Sequence, residues 1–312
     1  MEASVDRSQT EKKGKKKDPW PAQETFLKMV SSGIFKEDAI ANEFQSIPNP
    51  KPANSGQFYA NSAKNRNKDW PISDEKLVKF TAPPQNYLPA ARVTVPEFKR
   101  DLIVTQVPDP LIPGQVEEFW RMIFQEECLS MVLCSVPSDF SLSQFLPAAP
   151  ASFANHGKMF LNNRKVDAAS VAGVTAYTIE LLPDGCSNSV LTVVYHLANW
   201  KSKRATDGTF GELVGVADKV LKANGNICTI SLSGLGRCGA MALTLAAMHQ
   251  IGQQKDVRMP NLLESMRGDR SGLVETAEQY TGCYKALAFW AKERAADEAE
   301  IGKKLGEFLP KM

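Results

Sequence analysis

Apolar residues recur at helical spacing early in the chain: Phe26, Leu27, Val30 and Ile34, then Ala39, Ile40 and Phe44. Gly33 interrupts the series, so the pattern predicts two short helices. Residues 47–57 repeat Pro and Asn and read as a loop. Residues 116–123 place Phe119, Met122 and Ile123 on one helical face, a core role. The apolar run 130–136 predicts a strand in the middle of a sheet covered on both sides. Polar and apolar positions alternate through residues 158–182, with Val171, Val174, Tyr177 and Ile179 among the apolar ones. Asp184-Gly185 marks a turn and residues 189–197 a β-branched strand. A β-leaning run begins at 226–229, and residues 240–251 are rich in the helix formers Ala, Leu and Met. A closing helix is expected over 279–295, with fraying from Lys303-Lys304 to the end.

Between the last strand and its helix lies Thr-Ile-Ser-Leu-Ser-Gly-Leu-Gly-Arg-Cys-Gly, residues 229–239. A glycine-rich turn there aims backbone N–H groups and the positive helix end into one concavity. Arg237 adds a planar fork suited to phosphate oxygens. The chemistry is that of an oxyanion site, and four readings of it stand side by side. Gly234, Gly236 and Gly239 satisfy the dinucleotide spacing G-x-G-x-x-G, but residues 253–260 offer no second strand ending in an acid. Ser231 or Ser233 could be a hydrolase nucleophile, yet Thr229 stands where the elbow needs glycine, and the only downstream histidine is His249 on the same helix. A turn used only for packing is a third reading, and a phosphatase loop is the fourth.

Composition narrows the class. The 312 residues are 43% hydrophobic and 23% charged, which suits a soluble chain with a real core. A formal net charge of +2 excludes a polyanion binder acting through overall charge. Six cysteines without C-x-x-C or regular spacing predict a reduced, intracellular chain without zinc or other metal. No apolar run nears the ~20 residues of a membrane span. The expected compartment is the cytoplasm, with the nucleus second. Residues 1–18 carry Lys12-Lys13-Gly14-Lys15-Lys16-Lys17 and are expected to be a disordered basic tail, able to contact acidic surfaces. Residues 19–312 are expected to form one domain.

The turn resembles the phosphate loop of the protein tyrosine phosphatases, His-Cys-x-x-Gly-x-Gly-Arg-[Ser/Thr]-Gly. Gly234, Gly236, Arg237 and Gly239 match it. Ile230 stands at the histidine, Ser231 at the nucleophilic cysteine and Cys238 at the hydroxyl residue. Residues 64–70 resemble the family's Lys-Asn-Arg-Tyr-x-Asp loop, with Asn67 in place of the tyrosine that stacks on substrate and Asp69 at the aspartate that holds the peptide backbone. Residues 86–91 resemble Asn-Tyr-Ile-Asn-Ala-Ser in part, with Pro89 removing a strand donor. Residues 103–108 match a strand-and-turn motif, and 116–122 the helix Val-x-x-Phe-Trp-x-Met. Trp200 aligns with the tryptophan of the mobile Trp-Pro-Asp loop, leaving Lys201 at the proline and Ser202 at the general-acid aspartate. Residues 267–280 resemble Arg-x-Gly-hydrophobic-hydrophobic-Gln-Thr-x-x-Gln-Tyr, with Glu275 at the water-positioning glutamine and Gln279 kept. The likeness covers about residues 21–295, with the motifs in family order.

The resemblance implies a single α/β domain: a highly twisted mixed β-sheet with helices on both faces. It implies a phosphate site from Ser231, Leu232, Ser233, Gly234, Leu235, Gly236 and Arg237, and peptide contacts from Asn67, Asp69 and Gln279. No cofactor is implied. Ser231 and Ser202 lack the thiolate and the acid of the family's chemistry. The expectation is therefore a non-enzyme, a pseudophosphatase that holds a phosphotyrosine-containing or acidic protein segment in a signalling or scaffolding role. Replacing a thiolate with a hydroxyl removes a negative charge, and the basic run Lys201-Ser202-Lys203-Arg204 adds positive charge above the site. Glu275 and Asn67 work against binding. The alternative is an active phosphatase of residual or atypical activity, for which Cys238 is a second nucleophile candidate: the helix N-terminus is expected to lower its pKa, while its place one residue past the arginine is expected to point its side chain away from the cradle.

Overall fold

The protein is described by a computed structural model covering residues 20–308, except 83, 85, 206–209 and 296–297. The basic run at 12–17, Asp207 (five positions past Ser202 and not expected to take over as the acid) and the last four residues lie outside it.

Seventeen helices and strands follow in order among the described residues: α1 (Gln23–Ser31), α2 (Glu37–Ser46), α3 (Gly56–Ala60), β1 (Ala90–Val93), β2 (Leu102–Gln106), α4 (Gln115–Gln125), β3 (Cys128–Cys134), β4 (Phe153–His156), β5 (Met159–Asp167), β6 (Thr175–Pro183), β7 (Val190–Leu197), α5 (Phe210–Lys222), β8 (Asn226–Ser231), α6 (Gly236–Gly252), α7 (Met259–Asp269), α8 (Ala277–Arg294) and α9 (Glu298–Leu305). The strands make one sheet in the order β1-β2-β8-β3-β7-β6-β5-β4. Its middle, β2-β8-β3-β7, is parallel; the other pairings are antiparallel. The alternation read at 158–182 becomes the β5–β6 hairpin, and the apolar run at 130–136 becomes β3, buried between β8 and β7.

Helices cover both faces, as the α/β reading expected. On one, α4 buries Phe119, Trp120, Met122 and Ile123 completely, and the Trp120 indole donates to the Phe145 carbonyl at 2.9 Å. Each such side chain contributes about 1.5–3 kcal/mol by burial. On the other, α6 lies against the sheet and is itself covered by α5, α7 and α8. That burial on all sides explains why its apolar residues show no single stripe. Strand β8 followed by α6, with α7 next in the chain, supplies no further parallel strand, so the dinucleotide reading fails.

Two short helices stand either side of Gly33, as the spacing predicted. Glu43 of α2 accepts hydrogen bonds from the Tyr280 and Tyr284 hydroxyls of α8, both at 2.7 Å. The C-terminal part differs from the fraying expected at Lys303-Lys304. These lysines sit in α9, whose Ile301 and Leu305 are buried, and Phe308 meets the Phe35 ring edge-on at 5.3 Å. Apolar anchoring outweighs the charge of the last turn. Among the described residues no helix is long and apolar enough to cross a membrane.

Candidate active site

Strand β8 delivers Ser231 to the carboxyl end of the parallel strands, between Gln106 of β2 and Cys134 of β3. The chain then turns through Gly234, whose φ is +69°. A Cβ there would lie 2.7 Å from the Gln106 backbone nitrogen, so both the turn and its closeness to β2 require glycine. Helix α6 starts at Gly236 with no side chain capping it. Its first N–H groups have no intrahelical acceptor, the arrangement an anion nest needs.

Arg237 lies in the first turn of α6, 3% exposed. Its Nη1 donates to the Trp200 carbonyl at 2.8 Å, and Nη2 pairs with Asp139 at 2.7 Å. Asp139 also accepts from the Val136 N–H at 3.0 Å. Sequence reading missed this aspartate, which lies in a loop after β3 with no local pattern to mark it. Gln279 is buried; its Oε1 accepts from the Glu275 N–H at 2.9 Å, while its Nε2 finds no partner. A Cβ on Gly236 would lie 2.6 Å from that Nε2 and 2.3 Å from Glu275 Oε2. Both side chains therefore reach directly over the nest, and Ser233 Oγ is 3.5 Å from Glu275 Oε2.

Ser231 is buried, and its hydroxyl donates to Cys238 Sγ at 3.0 Å. The expectation of a lowered Cys238 pKa is corrected. Burial pushes this thiol up to about 11, outweighing the Ser231 hydrogen bond and the nearby Arg270 and Arg237 charges. It is a neutral thiol at pH 7. His249 lies far along α6 against the Phe98 ring, 4.8 Å between centroids, so the hydrolase reading has no base.

The segment after β7 is anchored through Trp200, whose carbonyl accepts from Arg237. Trp200 is buried and its Nε1 donates to the Arg204 carbonyl at 2.9 Å. Lys201, Ser202, Lys203 and Arg204 are exposed. Thr276 joins the lid to α8: its hydroxyl donates to the Lys203 carbonyl at 3.1 Å and accepts from the Gln279 N–H at 3.2 Å, capping the helix. Arg204 pairs with Glu278 at 3.2 Å, an exposed contact that contributes little. Thr276→Ala should cost about 1 kcal/mol of stability through the lost cap, read as a lower urea midpoint, with Thr276→Ser close to wild type.

The 64–70 loop is clamped beside the site. Arg66 donates to the Val107 carbonyl at 2.8 Å, Lys64 pairs with Glu118 at 2.9 Å, and the Asn65 carboxamide accepts from the Tyr87 hydroxyl at 2.7 Å. Asn67 is half-buried and Asp69 exposed. Thus Ser233, Gly236, Glu275 and Gln279 come together at the start of α6, next to Arg237. Ser202 stays on the exposed lid surface.

Comparison with known proteins bears on this arrangement. The family model described as protein-tyrosine phosphatase matches residues 61–289. A Caenorhabditis elegans protein named "Putative tyrosine-protein phosphatase C15H7.3" is 40% identical over 294 residues, covering 94% of this chain and 73% of that protein. Tyrosine-protein phosphatase non-receptor type 2 of Rattus norvegicus is 24% identical over 266 residues, covering 82% of this chain. Only 62% of that rat protein is matched, under two thirds of its length. Non-receptor type 13 of Homo sapiens is 21% identical over 281 residues, 87% of this chain and 11% of the human one. The expectation of a non-enzyme is overturned here: the relative matched over 94% of the chain carries the name of a phosphatase. That expectation rested on Ser231 at the nucleophile, Ser202 at the general acid, apolar Ile230 and Glu275, with the glycine turn and Arg237 kept for binding alone. Fold, site and matches agree that this chain belongs to the protein-tyrosine phosphatase family.

Proposed function

We propose that the chain is a tyrosine phosphatase of atypical chemistry, in which capture of a phosphotyrosine-bearing or acidic protein segment dominates and phosphate release is slow. The observation that carries this reading is the donor set around Gly236. Gln279 Nε2 is buried without a partner, Arg237 is held at the same place from two sides, and the N-terminus of α6 is uncapped. A phosphate dianion would satisfy the Gln279 amide and the free N–H groups of α6, beside the Arg237 charge.

Such a cradle stabilises charge developing on the phosphoryl oxygens, a contribution that survives loss of the nucleophile. The remaining chemistry is poor. Ser231 is a neutral hydroxyl already donating to Cys238, and Ser202 cannot protonate a leaving phenolate near neutral pH. Slow release would leave a bound segment shielded from other enzymes, which suits a signalling role. The Glu275 carboxylate lowers affinity for a dianion without abolishing it.

The test combines calorimetric titration of a phosphotyrosine peptide with steady-state phosphate release. Saturable binding is expected, with slow release that disappears in Arg237→Lys, because an ammonium cannot supply the two-pronged contact. A wild-type chain that neither binds nor hydrolyses the peptide would sink the reading.

A further inference from the structure

The two segments that hold Arg237 leave the sheet side by side. Strand β3 ends at Cys134, and the loop after it brings Asp139 Oδ2 to within 2.7 Å of Arg237 Nη2. Strand β7 ends at Leu197, and the chain then runs to Trp200, whose carbonyl accepts from Arg237 Nη1 at 2.8 Å. The two strands are parallel neighbours, with Leu133 opposite His196 and Cys134 opposite Leu197. Where that register ends, a side chain continues the link. His196 Nε2 lies 3.1 Å from the Ser135 carbonyl oxygen and 3.1 Å from Ser135 Oγ, and both residues are buried.

These distances settle which ring nitrogen carries hydrogen. A bare Nε2 so close to a carbonyl oxygen would set two lone pairs face to face. Nε2 is therefore the N–H, donating to the carbonyl with the hydroxyl oxygen as a second acceptor. Burial lowers the pKa of His196, outweighing the Ser135 carbonyl, so the ring is neutral at pH 7. The peptide that accepts from it also serves Arg237 at its other end. The Ser135 carbonyl and the Val136 N–H belong to one planar unit. That N–H donates at 3.0 Å to Asp139 Oδ2, the oxygen that faces Arg237. Turning the plane to break one of its bonds would break the other. The run from imidazole through peptide and carboxylate to guanidinium is a chain of hydrogen bonds in a buried setting, where each polarises the next.

We infer that His196 is a positioning residue for Arg237. Its N–H fixes the 135–136 peptide, the peptide orients Asp139, and Asp139 holds one arm of the guanidinium. The same imidazole ties β3 to the strand that carries Trp200, the holder of the other arm. Its role is indirect: it keeps the two sides of the clamp at a constant spacing. The inference rests on the reading above, in which Arg237 lies beside a bound phosphate, and adds the residue that sets its geometry.

The readout is the affinity of the folded protein for inorganic phosphate, measured by calorimetry at one pH and salt. His196→Leu fills the space without the N–H and should weaken binding about 5- to 10-fold. His196→Gln, whose carboxamide can present an N–H near the place of Nε2, should bind within about 2-fold of the wild type. Ser135→Ala keeps the carbonyl and should also bind as the wild type does. In an Asp139→Ala background, His196→Leu should cost little more, because the histidine acts through that aspartate. If the leucine variant does not fold, His196→Asn, whose amide stops short of the carbonyl, takes its place with the same expectation. A folded His196→Leu with wild-type affinity overturns the inference, and so does a His196→Gln as weak as His196→Leu. Losses that add in the Asp139→Ala background overturn it too. A Ser135→Ala as weak as His196→Leu would make the hydroxyl the tie and overturns the route through the peptide. Each of these leaves the cradle standing. A wild type that binds no phosphate removes the cradle reading itself, and the positioning role with it.

Discussion

Exchanging the two residues that touch behind the nest, Ser231→Cys with Cys238→Ser, should raise phosphotyrosine hydrolysis about 100-fold or more. The Ser231 hydroxyl and the Cys238 sulfur are 3.0 Å apart, so the pair needs only its order reversed. At 238 the sulfur is fully buried and held neutral, its pKa pushed up to about 11. At 231 a thiolate would face the uncapped N–H groups of α6 and the Arg237 charge, which favour the anion. The hydroxyl at 238 would then donate to it. Activity should stay about 10²–10⁴-fold below a complete enzyme, because Ser202 still lacks an acidic proton. The single change Ser231→Cys should behave differently, since it sets two sulfurs side by side and invites a disulfide under oxidising conditions. Phosphate release with and without a reductant, together with iodoacetamide labelling against pH, measures both effects. An exchanged variant that folds, labels as a low-pKa thiol and gains no turnover would show that the cradle geometry is wrong for chemistry.

Arg237→Met should abolish phosphate binding and destabilise the fold by about 3–5 kcal/mol. The arginine pairs with Asp139 in a nearly dry setting, 3% and 10% of the two side chains being exposed. Its removal strands a carboxylate whose other partner among the described residues is the Val136 N–H. Adding Asp139→Leu removes the stranded charge and should recover most of the stability without restoring affinity. Urea unfolding and inorganic phosphate titration on the three variants separate the roles. If Arg237→Met alone keeps full stability, the Asp139 pair is not formed in solution.

Helices and strands were legible where one period governs many residues, as in α4, β3 and the β5–β6 hairpin. The succession of strand, glycine turn and helix over 226–252 was legible because the three are contiguous. Contacts between distant segments were not. Asp139 and Arg237 share no local pattern, and His196 meets Ser135 only because β3 and β7 are neighbours. Asn67 was read by the side chain it lacks, whereas its carboxamide accepts hydrogen bonds from the Asp69 and Trp70 N–H groups. The helix terminus was expected to lower the Cys238 pKa, but full burial opposes the thiolate more strongly. In α9, two lysines obscured the Ile301–Leu305 pair, which lies one turn apart and finds the core.

The contact of Glu43 with Tyr280 and Tyr284 bears on how the chain can be dissected. The family match starts at residue 61, beyond α1 and α2. A fragment cut there would strip the acceptor from two hydroxyls that lie within two turns of Gln279. It would also bare the surface that Phe26 and Ile40, both fully buried, now cover. Helix α8 would then keep its packing on α5 and α6 and lose it on the α2 side. The stretch that identifies the family is thus shorter than the stretch that keeps its pocket in shape.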